Sequence, residues 1–335
     1  MNLTLFLGAG FSAPFGHPVM NSFLGFADAC PQLSEDDRNF LGRLVLEARR
    51  ANSFLESSPT NLEDILSFSE MAERLELVNS DENRNSRLRQ IIQKIYTTSS
   101  NHKRYWERYK PISTLIGKSP PKFKDNLSII TTNYDLNIES ACFSHETQVD
   151  PGFSICHIDT GNARVHSRFY KNGATPLYKL HGSVNWYPIK DDPGLAVEDS
   201  IVYVRAFEEP QLYLPRLCAT DYQSPDAPII VPPSFLKPDL PSALKAVWRG
   251  AAKALSNTNI LAFVGYSFPP SDTEMMYFLA SALSENAGLR AVYIVDPNAD
   301  AIVSRLKNSN SKIGSHFREL IQPINSGWTE AKLPL

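Results

Sequence analysis

Residues 5–12 read Leu5-Phe6-Leu7-Gly8-Ala9-Gly10-Phe11-Ser12, a run fit for a buried strand that stops at two glycines and a serine. Glycine forgoes side-chain packing, so bare backbone there serves a tight turn or a ligand, commonly a phosphate held against main-chain N–H groups. With Ala13, the run satisfies the G-x-G-x-x-G/A pattern of a dinucleotide-binding turn. The usual companion, an acidic residue ending a second strand about 20 residues on, is missing. Asp28 lies at that distance, but in Phe26-Ala27-Asp28-Ala29-Cys30, which is not a strand ending. The stretch points to a nucleotide without pointing to hydride transfer.

Working outward, strand-like runs recur at Leu127–Thr131, Tyr178–Leu180, Ile201–Val204, Ile229–Val231, Ile260–Val264 and Val292–Val295. Alanine-rich helical text, Ala243–Leu255 and Met275–Leu283, separates the last of them. This alternation predicts an α/β protein with a Rossmann-like open parallel sheet. Between the first strand and the second the text is helical. Ser34 and Asp37 form a capping box ahead of Phe40, Leu41, Leu44 and Val45. Thr60 and Glu63 do the same ahead of Leu62, Ile65 and Leu66, with Leu75 on the same period. Leu88, Ile91, Ile92 and Ile95 make a third stripe. The expected organisation is a Rossmann-like domain over 1–33 and 119–335 with an all-helical subdomain inserted over 34–118. Residues 152–170 and 191–222 read as loop-rich.

Composition narrows the function classes. A length of 335 residues suits one large domain or two, and 42% hydrophobic with 21% charged residues is ordinary for a globular protein. A formal net charge of -3 gives no drive toward nucleic acid or an acidic membrane. No apolar stretch approaches the roughly 20 residues that span a bilayer, and the N-terminus lacks the basic start of a signal peptide. Cys30, Cys142, Cys156 and Cys218 are scattered with no C-x-x-C pair, against a zinc ribbon or a disulfide framework. The expectation is a cytoplasmic protein with free thiols and no metal.

Four further stretches carry candidate chemistry. Thr131-Thr132-Asn133-Tyr134-Asp135 follows a strand, so Asn133 and Asp135 project at a strand end or cap a helix. His181 ends the short strand of Tyr178-Lys179-Leu180-His181-Gly182, with acid–base capacity near neutrality. Gly265 and Ser267 follow Leu261–Val264, and Gly265 admits a close backbone approach. Asp296 and Asn298 follow Val292–Val295 and suit a ribose diol or a turn.

In this order the motifs resemble the sirtuin family, whose NAD site combines a GAG-x-S loop, a T-x-N-x-D-like segment, a His-Gly and a late G-x-S. The resemblance covers about residues 1–20 and 125–300. It implies that Gly8, Ala9, Gly10 and Ser12 line the pyrophosphate and nicotinamide ribose. It implies that Thr132 and Asp135 belong to the cofactor pocket, Asp135 holding the carboxamide, and that Asn133 and His181 are catalytic. Gly265, Ser267, Asp296 and Asn298 would meet phosphate or the adenosine end.

Two departures matter. The four-cysteine ribbon of deacetylating sirtuins is reduced to Cys218, and the first loop reads Gly16-His17-Pro18-Val19-Met20 with no arginine. The helical insertion, Asn61–Leu66 and Asn185-Trp186 look like the sirtuin-like domains of bacterial antiphage defence systems, which consume NAD. That resemblance implies an NAD glycohydrolase that forms homo-oligomers. Its partner would be a HerA-like ATPase or an Argonaute-like protein, with no membrane and no direct nucleic-acid contact. A zinc-less protein deacylase and a non-catalytic NAD or ADP-ribose sensor stay open as alternatives.

Overall fold

The computed structural model describes residues 1–54, 61–76, 84–99, 126–139, 149–153, 155–158, 164–167, 174–188, 202–204, 227–231, 242–269, 272–308, 315–331 and 333–334. Strand β1 is Leu3–Leu7, followed by the four-residue helix α1 (Ala9–Ser12) and a 3-10 turn closed by Gly16 at φ 83°. Helix α2 (Phe23–Ala29) leads into α3 (Glu35–Phe54), α4 (Leu62–Arg74) and α5 (Arg84–Ser99). The middle of the chain supplies β2 (Leu127–Thr131), β3 (Val149–Asp150), β4 (Ile155–Ile158), β5 (Arg164–Ser167), β6 (Thr175–Lys179), β7 (Trp186–Pro188) and β8 (Val202–Val204). The last part alternates: α6 (Ser242–Ser256), β9 (Ile260–Val264), α7 (Thr273–Ser284), β10 (Ala291–Val295), α8 (Ala299–Asn308), α9 (Ser315–Leu320) and β11 (Ile321–Ile324).

Seven strands form one sheet in the order β11-β10-β9-β1-β2-β6-β3, every pairing parallel. Both β1 and β9 are buried at all five positions, as central parallel strands covered on both faces must be. Alternate residues divide between two cores. Phe6, Ile130, Leu261, Phe263, Val292 and Ile294 pack with Leu244, Val247 and Ala251 of α6, Met275 and Leu279 of α7, and Ile302 of α8. Leu5, Leu7, Ile129, Ala262, Val264 and Val295 meet Phe11, Phe15, Ile138 and Trp328 on the other face. Trp328 stacks on Phe11 at 4.5 Å and donates its indole N–H to the Phe11 carbonyl at 3.0 Å, so the C-terminal segment pins α1.

The fold is the Rossmann-like open sheet the sequence predicts, with differences that have physical causes. A smaller sheet, β5-β4-β8-β7, occupies part of the stretch read as loops, because its short strands lack a strong apolar alternation. Ile229–Val231 is not a strand. Flanked by Pro228 and Pro232, which offer no N–H to a ladder, it makes a single antiparallel bridge between Ile230 and Gly182. The sequence missed β11, which carries Pro323 and is tolerated as an edge strand. Thr60, Cys142, Ile201, Cys218 and residues 100–118 lie outside the described residues.

The helical stripes are buried as their spacing predicts, Leu75 excepted. Leu88, Ile91, Ile92 and Ile95 are all buried with Phe40, Leu41, Leu44, Leu62, Ile65 and Leu66. The Ser34–Asp37 box forms, each backbone N–H donating to the other side chain, at 3.1 Å and 3.3 Å. A box also forms between Asn61 and Asp64, which exchange bonds at 3.1 Å and 3.0 Å, while Thr60 of the expected Thr60–Glu63 box lies outside the described residues. Leu75 is 54% exposed because α4 ends at Arg74. The helical core also takes in Tyr134, Val184 and Ile230, which join it to the loops at the ends of β2 and β6.

Asp37 gives this region a pH dependence. Burial raises its pKa, but hydrogen bonds from Lys94 and from Ser34, with the Lys94 charge, outweigh that and leave it below the ordinary value. A carboxyl depressed on folding stabilises above its unfolded pKa of about 3.9 and loses that contribution as pH falls through its folded value. The stability difference between wild type and Asp37→Ala is expected to be present at neutral pH and to shrink below about pH 4 in urea unfolding.

Candidate active site

The strand order reverses between β1 and β9, and such a switch point opens a ligand crevice at the carboxyl ends of an open sheet. Five motifs that the chain spreads over 290 residues end adjacent strands there, β6, β2, β1, β9 and β10. Register sets their level. Thr131 pairs with Lys179, so Asn133 and His181 each lie two residues beyond a paired position on neighbouring strands. Leu7 and Val295 both pair with Val264, which puts Gly8, Gly265 and Asp296 one residue past the ladder.

The glycines answer first to each other. A Cβ on Gly8 would lie 2.5 Å from the Gly265 carbonyl oxygen, and one on Gly10 3.0 Å from the same atom. Gly265 has φ +62°, and its Cβ would be 2.3 Å from the Phe11 nitrogen. Gly10 N–H donates to Gly265 O at 2.9 Å and Gly8 N–H to Val264 O at 3.0 Å. Two strand-end loops thus pack backbone on backbone, and only glycine allows it.

Beside them, Asn133 has a determined orientation. Its amide nitrogen lies 2.8 Å from the Gly8 carbonyl oxygen, an acceptor only, and 2.9 Å from Ser12 Oγ. Ser12 spends its own proton on Asp135 Oδ2 at 2.6 Å, and Asp135 Oδ1 accepts the Asn137 N–H at 3.0 Å. Both amide hydrogens of Asn133 are therefore committed, and its Oδ1 is left as an acceptor. Each Asp135 oxygen retains a lone pair for a further donor. Thr132 N–H donates to Leu7 O, tying this loop to β1.

His181 is buried in the turn after β6. Trp248 of α6 meets its ring edge-on at 6.4 Å while donating Nε1–H to Leu180 O at 2.9 Å. The residues 229–231 brace the turn from outside, through Val231 N–H to His181 O and Ser183 N–H to Ile229 O. Gly182, at φ +82°, is required where it is: a Cβ would overlap the Ile229 oxygen at 2.0 Å.

The structure brings Ser12, Asn133 and Asp135 into direct contact and sets His181 on the next strand end. Asp296 instead uses Oδ1 to accept the Asn298 N–H at 2.8 Å, an Asx turn that starts α8, with Asn298 exposed. Ser267 is exposed, its carbonyl accepting from Arg305. Sequence reasoning missed the residues that hold the site from behind. His17 Nε2 pairs with Asn137 Oδ1 at 3.2 Å and stacks on Tyr96, while Gln93 donates to Val184 O at 2.7 Å. Through Gln93 and Tyr96, α5 braces the first loop and the histidine loop. Burial pushes the Tyr96 hydroxyl pKa up, and the Asp135 charge adds to it, so Tyr96 stays neutral. Lys179, within Tyr178–Gly182, and Glu139, four residues past Asp135, were also missed, and a lysine on an interior strand was the available signal.

Among the described residues no group of three or more His, Cys, Asp or Glu side chains is placed to hold a metal ion, and no helix is long and apolar enough to cross a membrane.

An open parallel sheet with glycine-bearing loops at its switch point defines a nucleotide-binding protein of the Rossmann-like class. The SIR2-like domain matches residues 127–313, and the chain belongs to that family, one of NAD-dependent enzymes. Solved structures similar to it include Sir2Tm bound to a propionylated peptide, at 14% identity over 98% of this chain and 89% of that one, with a TM-score of 0.36. An ADP-ribose complex of a mutant Sir2 homologue is similar at 15% identity over 95% and 90%, with a TM-score of 0.39. No curated protein matches the chain significantly.

Proposed function

We propose that this chain is an NAD glycohydrolase, releasing nicotinamide and ADP-ribose, and that Ser12, Asn133, Asp135 and His181 do the work. The observation that carries the reading is the committed amide of Asn133: with both hydrogens spent, Oδ1 is an acceptor held rigidly at the strand end beside His181. A water donating one hydrogen to Oδ1 would present a lone pair to the ribose C1′. The C1′–N bond breaks with its electron pair going to the pyridinium nitrogen, so the ring leaves neutral, and the water oxygen bonds C1′. Its proton passes to His181 or to solvent. Fixed donors and acceptors around the cation-like ribose supply most of the rate gain. Gly8, Ala9, Gly10, Thr132, Gly265, Ser267, Asp296 and Asn298 would line the rest of the dinucleotide.

Incubating the pure protein with NAD and following free nicotinamide tests this. Release without peptide is the expected result. Release only with an acylated peptide supports a deacylase, and no release supports a sensor. On the resemblance to antiphage systems, we further propose that the activity serves defence within a homo-oligomer or an assembly with a HerA-like ATPase or an Argonaute-like protein. A mass measurement of the protein purified with its neighbouring gene product checks that. The insertion of a helical subdomain over 34–118 into the Rossmann-like domain belongs to the same proposal.

A further inference from the structure

Lys179 ends β6 with its side chain 1% exposed, a rare place for an ammonium group. Its Nζ lies 2.9 Å from Glu139 Oε1, 2.8 Å from Ser183 Oγ and 2.5 Å from the Asp135 carbonyl oxygen, with the Tyr134 carbonyl at 3.4 Å. Three short contacts match its three N–H donors. Ser183 Oγ donates onward to Asn185 Oδ1 at 2.7 Å. One cation thus binds carbonyls from the loop that carries Asn133 and a hydroxyl from the loop that carries His181. Within the second loop it bridges Lys179 to Ser183, closing the turn around His181.

A buried pair of this kind is a poor stability device, because desolvation offsets its attraction. An apolar residue would fill the space as well, but it would hold neither carbonyl nor hydroxyl. We propose that Lys179, neutralised by Glu139, is a positioning residue that sets the spacing of the Asn133 and His181 loops. The catalytic part of this inference rests on the glycohydrolase reading; the loop spacing does not.

The test removes both charges together, Lys179→Met with Glu139→Leu, so that no lone charge stays buried. Amide hydrogen exchange is expected to quicken about tenfold or more in residues 132–139 and 180–186, with β1, β9 and β10 unchanged. Turnover is expected to drop about tenfold or more in kcat with KM within about twofold. Unchanged exchange in the two loops overturns the proposal, and so does exchange that quickens equally in β1 and β9, which marks a general structural role. Where the wild type does release nicotinamide, a double variant that turns over at the same rate also overturns it. A wild type that releases no nicotinamide sinks the glycohydrolase reading alone, and the exchange data still decide the role of Lys179. If the double variant does not fold, Ser183→Ala serves: quicker exchange confined to 180–186 supports the proposal, and no change overturns it.

Discussion

Asn133→Ala is expected to cut nicotinamide release from NAD by about 10²–10⁴-fold, and His181→Ala by a similar factor, the usual cost of removing a positioned polar or acid–base group. Both residues lie on loops past the ladder rather than in either core, so both variants are expected to fold. Asn133→Ala also strips a donor from the Gly8 carbonyl and from Ser12, at about 1 kcal/mol of stability. Asn133→Asp sharpens the case. It keeps an acceptor toward the crevice but turns a carboxylate oxygen toward the Gly8 carbonyl, so it too is expected to be nearly inactive. Because the residues act on one water and one ribose, the double variant is expected to be little worse than the worse single one. Turnover near wild type in either alanine variant would remove that residue from the mechanism.

Gly182→Ala is expected to be the most damaging single substitution in the loops, at about 3 kcal/mol or more in denaturant unfolding. Two costs add. An alanine at φ +82° is strained, and its Cβ would be 2.0 Å from the Ile229 oxygen, which is backbone and cannot swing aside. The Ser183 to Ile229 hydrogen bond and the bridge to Ile230 must break to relieve it, and the His181 turn moves with them. Gly42 is the control. It is exposed inside α3 and its Cβ would meet nothing, so Gly42→Ala is expected to raise stability by about 1 kcal/mol. Equal effects at the two positions would mean that the close approach at Gly182 is not what the fold requires.

Much was legible in the chain itself because it rests on local chemistry. Leu3–Leu7, Leu127–Thr131 and Ile260–Val264 are short apolar runs that end at polar or glycine residues, and they are the central strands. The stripe Leu88, Ile91, Ile92, Ile95 has helical spacing and is buried at every position. The strand-end residues could be picked out one by one for the same reason. Local patterning was silent where structure depends on partners: β4 and β5 have weak alternation, and β11 contains a proline that only an edge strand accepts.

What the sequence determined by itself, then, is the central strands of the main sheet, the helical stripes and the identity of the residues at the strand ends, since side-chain period and turn chemistry act over a few residues. Tertiary structure alone decided what those residues do to one another. Gly8 and Gly265 are far apart in the chain, and no local rule shows that their backbones meet at hydrogen-bonding distance across the switch point. Nor does any local rule show that Gly8 and Ser12 consume the Asn133 amide, or that Lys179 grips a loop that precedes it by some 40 residues. Those contacts exist because parallel pairing brings β6, β2, β1 and β9 side by side, and strand order is a property of the whole chain.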